Sequence, residues 1–231
     1  QIAQTAPRGP VYINLDAALQ EARTDTLLPI PDPSRYAAPE AAPPAPKDVQ
    51  QAAHWLSNAK RPVILMGRMS RSEADWNARI ALAEKLQARV VTDLKNAASF
   101  PTAHPQHTAP PGYFMNPEAC AALREADVVL ILDWVDPGGA FKQALQAEVC
   151  QAKVIQVSLD MHIHRGWSMD MGSLPPSDLF MLSEPDAAVH ALLAACSEQP
   201  KQTWPPKPVL PALPEGDVIS LRALSLALEA A

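Results

Sequence analysis

Four short apolar runs constrain this chain most: Pro62-Val63-Ile64-Leu65-Met66-Gly67, Arg89-Val90-Val91-Thr92-Asp93, Asp127-Val128-Val129-Leu130-Ile131-Leu132-Asp133 and Lys153-Val154-Ile155-Gln156-Val157-Ser158-Leu159-Asp160. Each is rich in β-branched residues, too short for a buried helix, and followed by Gly or Asp at its C-terminal end. Apolar runs without polar alternation are the mark of strands covered on both faces. Ala-rich segments of helical length separate them, so the pattern predicts an α/β fold: a doubly wound parallel sheet of five or six strands in a three-layer αβα arrangement. Ligands of such sheets sit at the carboxyl ends of the strands, where these Gly and Asp residues stand.

Charge and composition remove several function classes. The formal net charge is −6 and the 19 Lys and Arg are scattered, which argues against a nucleic-acid surface, since neutralising phosphates takes clustered cations. No apolar stretch reaches the roughly 20 residues that span a bilayer, and the first residues lack the basic-then-apolar layout of a signal peptide. The expectation is a soluble, cytoplasmic chain that binds neither membrane nor nucleic acid. Cys120, Cys150 and Cys196 are far apart and show no C-x-x-C spacing, so neither a disulfide framework nor a zinc site is predicted.

Proline sets the domain plan. The chain has 25 Pro against 8 Gly, and the Pro cluster between Pro29 and Pro46 and again between Pro200 and Pro214, as extended linkers do. They divide the sequence into a head (1–22), a linker (23–46), a core domain (47–197), a second linker (198–214) and a tail (215–231). Within the core, helices are expected over Asp48 to Ala59, Ser72 to Gln87, Asn116 to Glu125, Ala140 to Gln151 and Asp186 to Ala195, with a weaker strand at Leu179 to Leu182. The head carries an isolated run with strand character, Gly9 to Asp16. The tail has apolar residues at helical spacing from Val218, with Asp217 as the expected N-cap. A chain that starts at a lone strand and ends within a helix is expected to be a piece of something longer.

Several segments taken in order resemble one enzyme family. Arg8-Gly9-Pro10-Val11-Tyr12-Ile13-Asn14-Leu15-Asp16 resembles the closing strand of the pyrimidine-binding domain of thiamine-diphosphate-dependent enzymes of the acetolactate synthase and benzoylformate decarboxylase type. Ala59 to Gly67 is similar to the first strand of their central domain. Leu82 to Leu86 with Val90-Val91-Thr92, then Ser99-Phe100-Pro101 with His104-Pro105, then Ala126 to Leu130, and finally Val154 to Asp160 resemble the rest of that domain. The tail resembles the opening helix of the diphosphate-binding domain. This resemblance implies a Rossmann-like central domain of the DHS-like NAD/FAD-binding class. It also implies a parent enzyme in which thiamine diphosphate, held with Mg²⁺, performs carbanion chemistry on 2-oxo acids. The partners implied are the thiamine-binding domains on either side and a second copy of the enzyme, as a dimer or tetramer.

The family's catalytic Glu lies before the matched head, and its metal-binding Gly-Asp-Gly motif lies in the diphosphate-binding domain. Glu215-Gly216-Asp217, at a linker end, is no substitute. The chain alone is therefore expected to be inactive, with no catalytic or metal-binding residue and no thiamine diphosphate or Mg²⁺ of its own. Some relatives bind FAD or ADP along the carboxyl edge of the central sheet. The residues standing there are Gly67, Arg68, Asp133 and Asp160, the candidates for a vestigial nucleotide site. Gly67 permits close backbone approach to a ligand; Arg68 is a phosphate partner or a loop cation; Asp160 is a ribose acceptor or a turn cap. Against FAD stand the single Gly of the Gly67 turn, the carboxylates of Asp133 and Asp136 where a diphosphate needs cations, and the segment Thr108 to Tyr113, which lacks a Gly-rich turn.

Lesser candidates read as structural. His162 and His164 alternate as metal ligands in an extended segment would, but a loop with exposed His is preferred. His104 and His107 are expected to pack a Pro-rich loop, Asp133 and Asp136 to cap and turn rather than to form an acid/base pair, and the Trp residues to serve core or interface. The leading expectation is a non-catalytic central domain of an acetolactate-synthase-like carboligase or decarboxylase. The alternative is a stand-alone FAD- or ADP-binding module, and a Pro-armed scaffold ranks last.

Overall fold

The structure is a computed structural model that describes residues 2–27, 29–160, 173–206, 211–212 and 219–230. Five parallel strands form the sheet: β1 (Pro62–Met66), β2 (Arg89–Thr92), β3 (Val128–Leu132), β4 (Lys153–Val157) and β5 (Leu179–Met181), in the order β2-β1-β3-β4-β5. The helices are α1 (Ala17–Glu21), α2 (Pro46–Ser57), α3 (Glu73–Leu86), α4 (Pro117–Glu125), α5 (Pro137–Leu145), α6 (Pro185–Ala195) and α7 (Leu221–Ala230).

Strand alternation sorts the core into two layers. Ile64, Met66, Val90, Leu130, Leu132, Ile155 and Val157 pack against α2, α3 and α6, where Leu56, Leu82, Leu86 and Leu192 are fully buried. Val63, Leu65, Val91, Val129, Ile131 and Val154 face the other way, onto Ala119, Ala122 and Leu123 of α4 and Ala140, Phe141 and Ala144 of α5. Both faces are covered, which is why β1 and β3 read as unbroken apolar runs. The chain leaves β1 for β2 by α3 on one face, and leaves β3 for β4 by α5 on the opposite face. Reversing direction and face together keeps crossovers right-handed, and it puts the topological switch point between β1 and β3.

The ends of the elements follow local chemistry. Ser72 caps α3, whose last turn closes on Gln87 in the left-handed region (φ 48°). Asn116 caps α4 with Pro117 at its first position, and Asp136 caps α5 in the same way, its Oδ1 accepting the Gly139 N–H at 2.9 Å. Helix α5 thus begins at Pro137 and ends at Leu145, whereas the periodicity predicts Ala140 to Gln151. The Asp-Pro pair is a helix start rather than a turn. Beyond β2, residues 106–108 run alongside it: the Val90 N–H donates to Gln106 O at 2.8 Å, the Thr108 N–H donates to Val90 O at 2.9 Å, and His107 forms an isolated parallel bridge with Val90. His107 is buried and its Nε2 lies 2.9 Å from Thr92 Oγ1, while His104 meets Glu84 at 3.2 Å.

The head differs from expectation. Residues Gly9 to Asp16 form no strand, and Val11, Tyr12, Ile13 and Leu15 are exposed. A strand needs a neighbour to hydrogen-bond, and no strand of the described sheet is positioned to pair with this one. The second Pro-rich segment is strapped to the core by the Trp204 indole N–H, which donates to Gln87 Oε1 at 3.2 Å. The tail helix starts at Leu221, with the Ala223 N–H donating to Ser220 Oγ at 3.1 Å. Asp217, Glu215-Gly216-Asp217 and the His162/His164 segment lie outside the described residues.

Candidate functional site at the sheet switch point

The carboxyl ends of β1, β3 and β4 lie side by side, because these strands are hydrogen-bonded neighbours in register: Met66 pairs with Leu132, and Leu132 with Val157. The residues that follow are Gly67 and Arg68, Asp133 and Trp134, and Ser158 to Asp160. The sheet therefore brings all four sequence candidates, Gly67, Arg68, Asp133 and Asp160, to one place.

Gly67 is glycine because the chain itself approaches. A Cβ at this position would sit 2.5 Å from the Asp133 carbonyl carbon and 2.6 Å from Trp134 Cα, with the Asp133 carbonyl oxygen closer still. The Gly67 N–H donates to Leu132 O at 2.9 Å, the Arg68 N–H donates to Asp133 O at 3.1 Å, and Gly67 O accepts the Ser99 hydroxyl at 2.9 Å. These backbone groups are committed to the protein. Asp133 takes a left-handed conformation (φ 49°), which turns its backbone toward Gly67.

Arg68 is held by carboxylates. Its Nη2 donates to Asp133 Oδ1 at 2.8 Å and also to Asp160 Oδ2. The Ser158 hydroxyl donates to Asp133 Oδ1 at 2.6 Å and accepts the Asp160 N–H at 3.0 Å. Burial disfavours the Arg68 charge, but Asp133 and Asp160 outweigh it and raise the guanidinium above its ordinary value. One cation between two carboxylates leaves a formally negative group of three.

A cleft of about 190 Å³ opens beside Arg68 and Asp133, walled by Ala6 to Arg8, Met69, Ser70, Leu159 and Glu184 to Asp186. That is below the roughly 300–1,000 Å³ of a small-molecule site. A dinucleotide diphosphate needs free backbone N–H groups and an available cation, and at this edge the Gly67 and Arg68 N–H groups and the Arg68 guanidinium are engaged within the chain. Among the described residues no group of three or more His, Cys, Asp or Glu converges.

Among the described residues, the remaining candidates make contacts within the chain. Asp136 caps α5 and Asp133 holds Arg68, so the two carboxylates do separate work. Trp76 and Trp55 each lie 5.6 Å from an intrachain cation, Arg79 and Lys153. One cluster has no sequence signal: Arg79, 1% exposed, lies between α3 and α6, with its Nε 3.8 Å from Asp186 Oδ1, and Asp186 Oδ2 accepts the Ser70 N–H at 2.7 Å. An Arg midway along a helix ordinarily reads as surface.

Residues 49–175 match the family described as thiamine pyrophosphate enzyme, central domain. The chain is 32% identical over 155 residues to sulfoacetaldehyde acetyltransferase of Castellaniella defragrans, covering 66% of this chain and 25% of that protein. It is 27% identical over 164 residues to the acetolactate synthase large subunit of Corynebacterium glutamicum, covering 69% of this chain and 25% of that one. The crystal structure of benzoylformate decarboxylase from Polynucleobacter necessarius superposes with a TM-score of 0.65 at 20% identity, over 96% of this chain and 40% of that chain. The chain thus spans about a quarter of the length of these two curated relatives.

Proposed function

The chain belongs to the thiamine pyrophosphate enzymes, as their central domain, and on that premise we propose that it is the non-catalytic spacer of an acetolactate-synthase-like carboligase or decarboxylase acting on 2-oxo acids. Residues 47–197 are the spacer proper, 1–22 the end of a pyrimidine-binding domain and 215–231 the start of a diphosphate-binding domain, joined by the Pro-rich segments 23–46 and 198–214. The parent enzyme works as a homo-oligomer, dimer or tetramer. The observation that carries this reading is the switch point closed by Gly67, Arg68, Asp133 and Asp160, which leaves the domain an architectural role where a doubly wound sheet would otherwise hold a ligand.

Thiamine diphosphate, with Mg²⁺, supplies the nucleophilic carbanion and electron sink of the reaction. The residues of this chain do not fit either group. The 231 residues contain no Gly-Asp-Gly followed by Asn, and the Asp133 and Asp160 carboxylates at the sheet edge are neutralised in part by Arg68. What the chain contributes is a rigid sheet whose two Pro-rich arms fix where neighbouring domains attach.

The test is a comparison of two preparations. The 231-residue chain, given thiamine diphosphate, Mg²⁺ and pyruvate, is expected to consume no pyruvate and to melt at the same temperature with and without the cofactor. A polypeptide carrying the flanking domains is expected to turn over a 2-oxo acid only with both. Turnover, or a melting shift with thiamine diphosphate, in the 231-residue chain would overturn the proposal.

A further inference from the structure

We infer that Arg68 is an internal ligand of the switch-point crevice: its guanidinium occupies, from within the chain, the place an external group takes in other doubly wound sheets, and the resulting clamp keeps nucleotides out.

Three observations carry this. The clamp spans three adjacent strand ends, with Arg68 following β1, Asp133 following β3 and Asp160 following β4. These ends also share backbone hydrogen bonds, from the Arg68 N–H to Asp133 O and from the Asp133 N–H to Val157 O, and the chain leaves β1 and β3 toward opposite faces. A bound ligand at a switch point bridges such loops; here the guanidinium does so. Second, the clamp is braced, since the Ser158 hydroxyl donates to the Asp133 carboxylate and accepts from the Asp160 backbone N–H, holding one carboxylate and the backbone that carries the other. Third, the charge is wrong for a phosphate. The cation is committed, the group is formally negative, and the backbone at Gly67 is covered by Asp133 and Trp134.

An Arg suits this place better than a Lys, because a planar fork reaches two carboxylates at once. The clamp thereby does for the folded chain what a structural nucleotide does elsewhere, without depending on the nucleotide's concentration.

Thermal melts of the 231-residue chain test this independently of any enzymatic activity. With ADP, FAD or inorganic pyrophosphate at about 1 mM, the midpoint is expected to move by less than about 1 °C. Arg68→Ala is expected to lower it by about 5 °C, and Arg68→Lys by less. Adding Asp160→Asn to Arg68→Ala is expected to recover part of that loss by removing one of the two like charges that Arg68 holds together. If Arg68→Ala does not fold, Arg68→Lys and Asp160→Asn serve, and their combined loss is expected to be smaller than the sum of the two. A rise of several degrees with any of the three probes would overturn the inference. So would losses that simply add in both comparisons.

Discussion

The carboxylate of Asp127 accepts the backbone N–H of Lys60 at 2.6 Å, and its second oxygen accepts that of Arg61 at 2.9 Å, 66 residues away in sequence. Asp127 immediately precedes β3, and Lys60 and Arg61 immediately precede β1, so one side chain ties the starts of two neighbouring strands. Asp178 repeats the device before β5, accepting the Val154 N–H at 2.9 Å and the Lys153 ammonium at 2.8 Å. Replacing Asp127 with Ala should cost about 1–2 kcal/mol in urea unfolding, because two strand-initiating N–H groups lose an ionised acceptor. Asp127→Asn, which keeps one acceptor, should cost less.

Acid should weaken the fold through carboxylates of this kind. Burial works against the charge of Asp178, but Lys153 and the Val154 N–H win and hold its pKa below the ordinary 3.8; Asp75 is likewise lowered, burial being overcome by Ser70 and His190. Native pKa values below the unfolded ones contribute stability that is complete above about pH 4 and lost as the pH falls through the lowered values. Urea midpoints between about pH 2 and pH 6 should fall at the acid end, and Asp178→Asn should make that fall shallower.

Gly67→Ala should destabilise by about 3 kcal/mol or more. The added methyl would meet backbone on β3's exit, 2.6 Å from Trp134 Cα, and backbone cannot swing aside as a side chain can. Gly139→Ala offers the contrast, since its nearest obstacle is the Asp136 carboxylate, which can rotate. Equal losses in the two variants would refute this distinction.

Gln106 is buried, and its side-chain amide donates to Ala83 O at 2.8 Å and Ala88 O at 2.9 Å. These carbonyls belong to the last turn of α3 and to the residue before β2. Gln106→Leu should leave both without this donor and cost about 2 kcal/mol, seen as a lower urea midpoint with an unchanged slope.

Cys196 should resist thiol reagents in the native chain. Burial pushes its pKa up to about 11, and burial raises Cys120 and Cys150 as well. At pH 8 a chromogenic disulfide reagent should label Cys196 only after denaturant is added. Immediate labelling of this residue would mean that α6 opens readily.

The sheet was legible because its signal is local: β1 and β3 are buried on both faces and therefore apolar at every position. Their carboxyl-end residues were legible as a group for the same reason, since parallel neighbours in register bring Gly67, Arg68, Asp133 and Asp160 together. What these residues do to one another was not. Whether Arg68 meets a phosphate or two carboxylates depends on side-chain directions that no spacing encodes. The periodicity places the start of α5 too late because Asp136-Pro137-Gly138-Gly139 carries turn residues, whereas Pro137 sits at the first helical position and Asp136 caps it. Gly9 to Asp16 has the residue types of a strand, but strand formation is a property of two segments. Gln106 and Arg79 left no trace, as buried polar residues resemble surface ones until their partners are known.

The run of 106–108 alongside β2 also changes what the border of the sheet offers another chain. An open parallel strand is a template onto which another chain can add, and β2 is the outermost strand on its side. Val90 gives its N–H to Gln106 and its C=O to Thr108, so the outward hydrogen bonds at the middle of that strand are spent within the molecule, while the opposite border is the three-residue β5. An added strand therefore finds the middle of β2 already taken, and only three residues to pair with at β5.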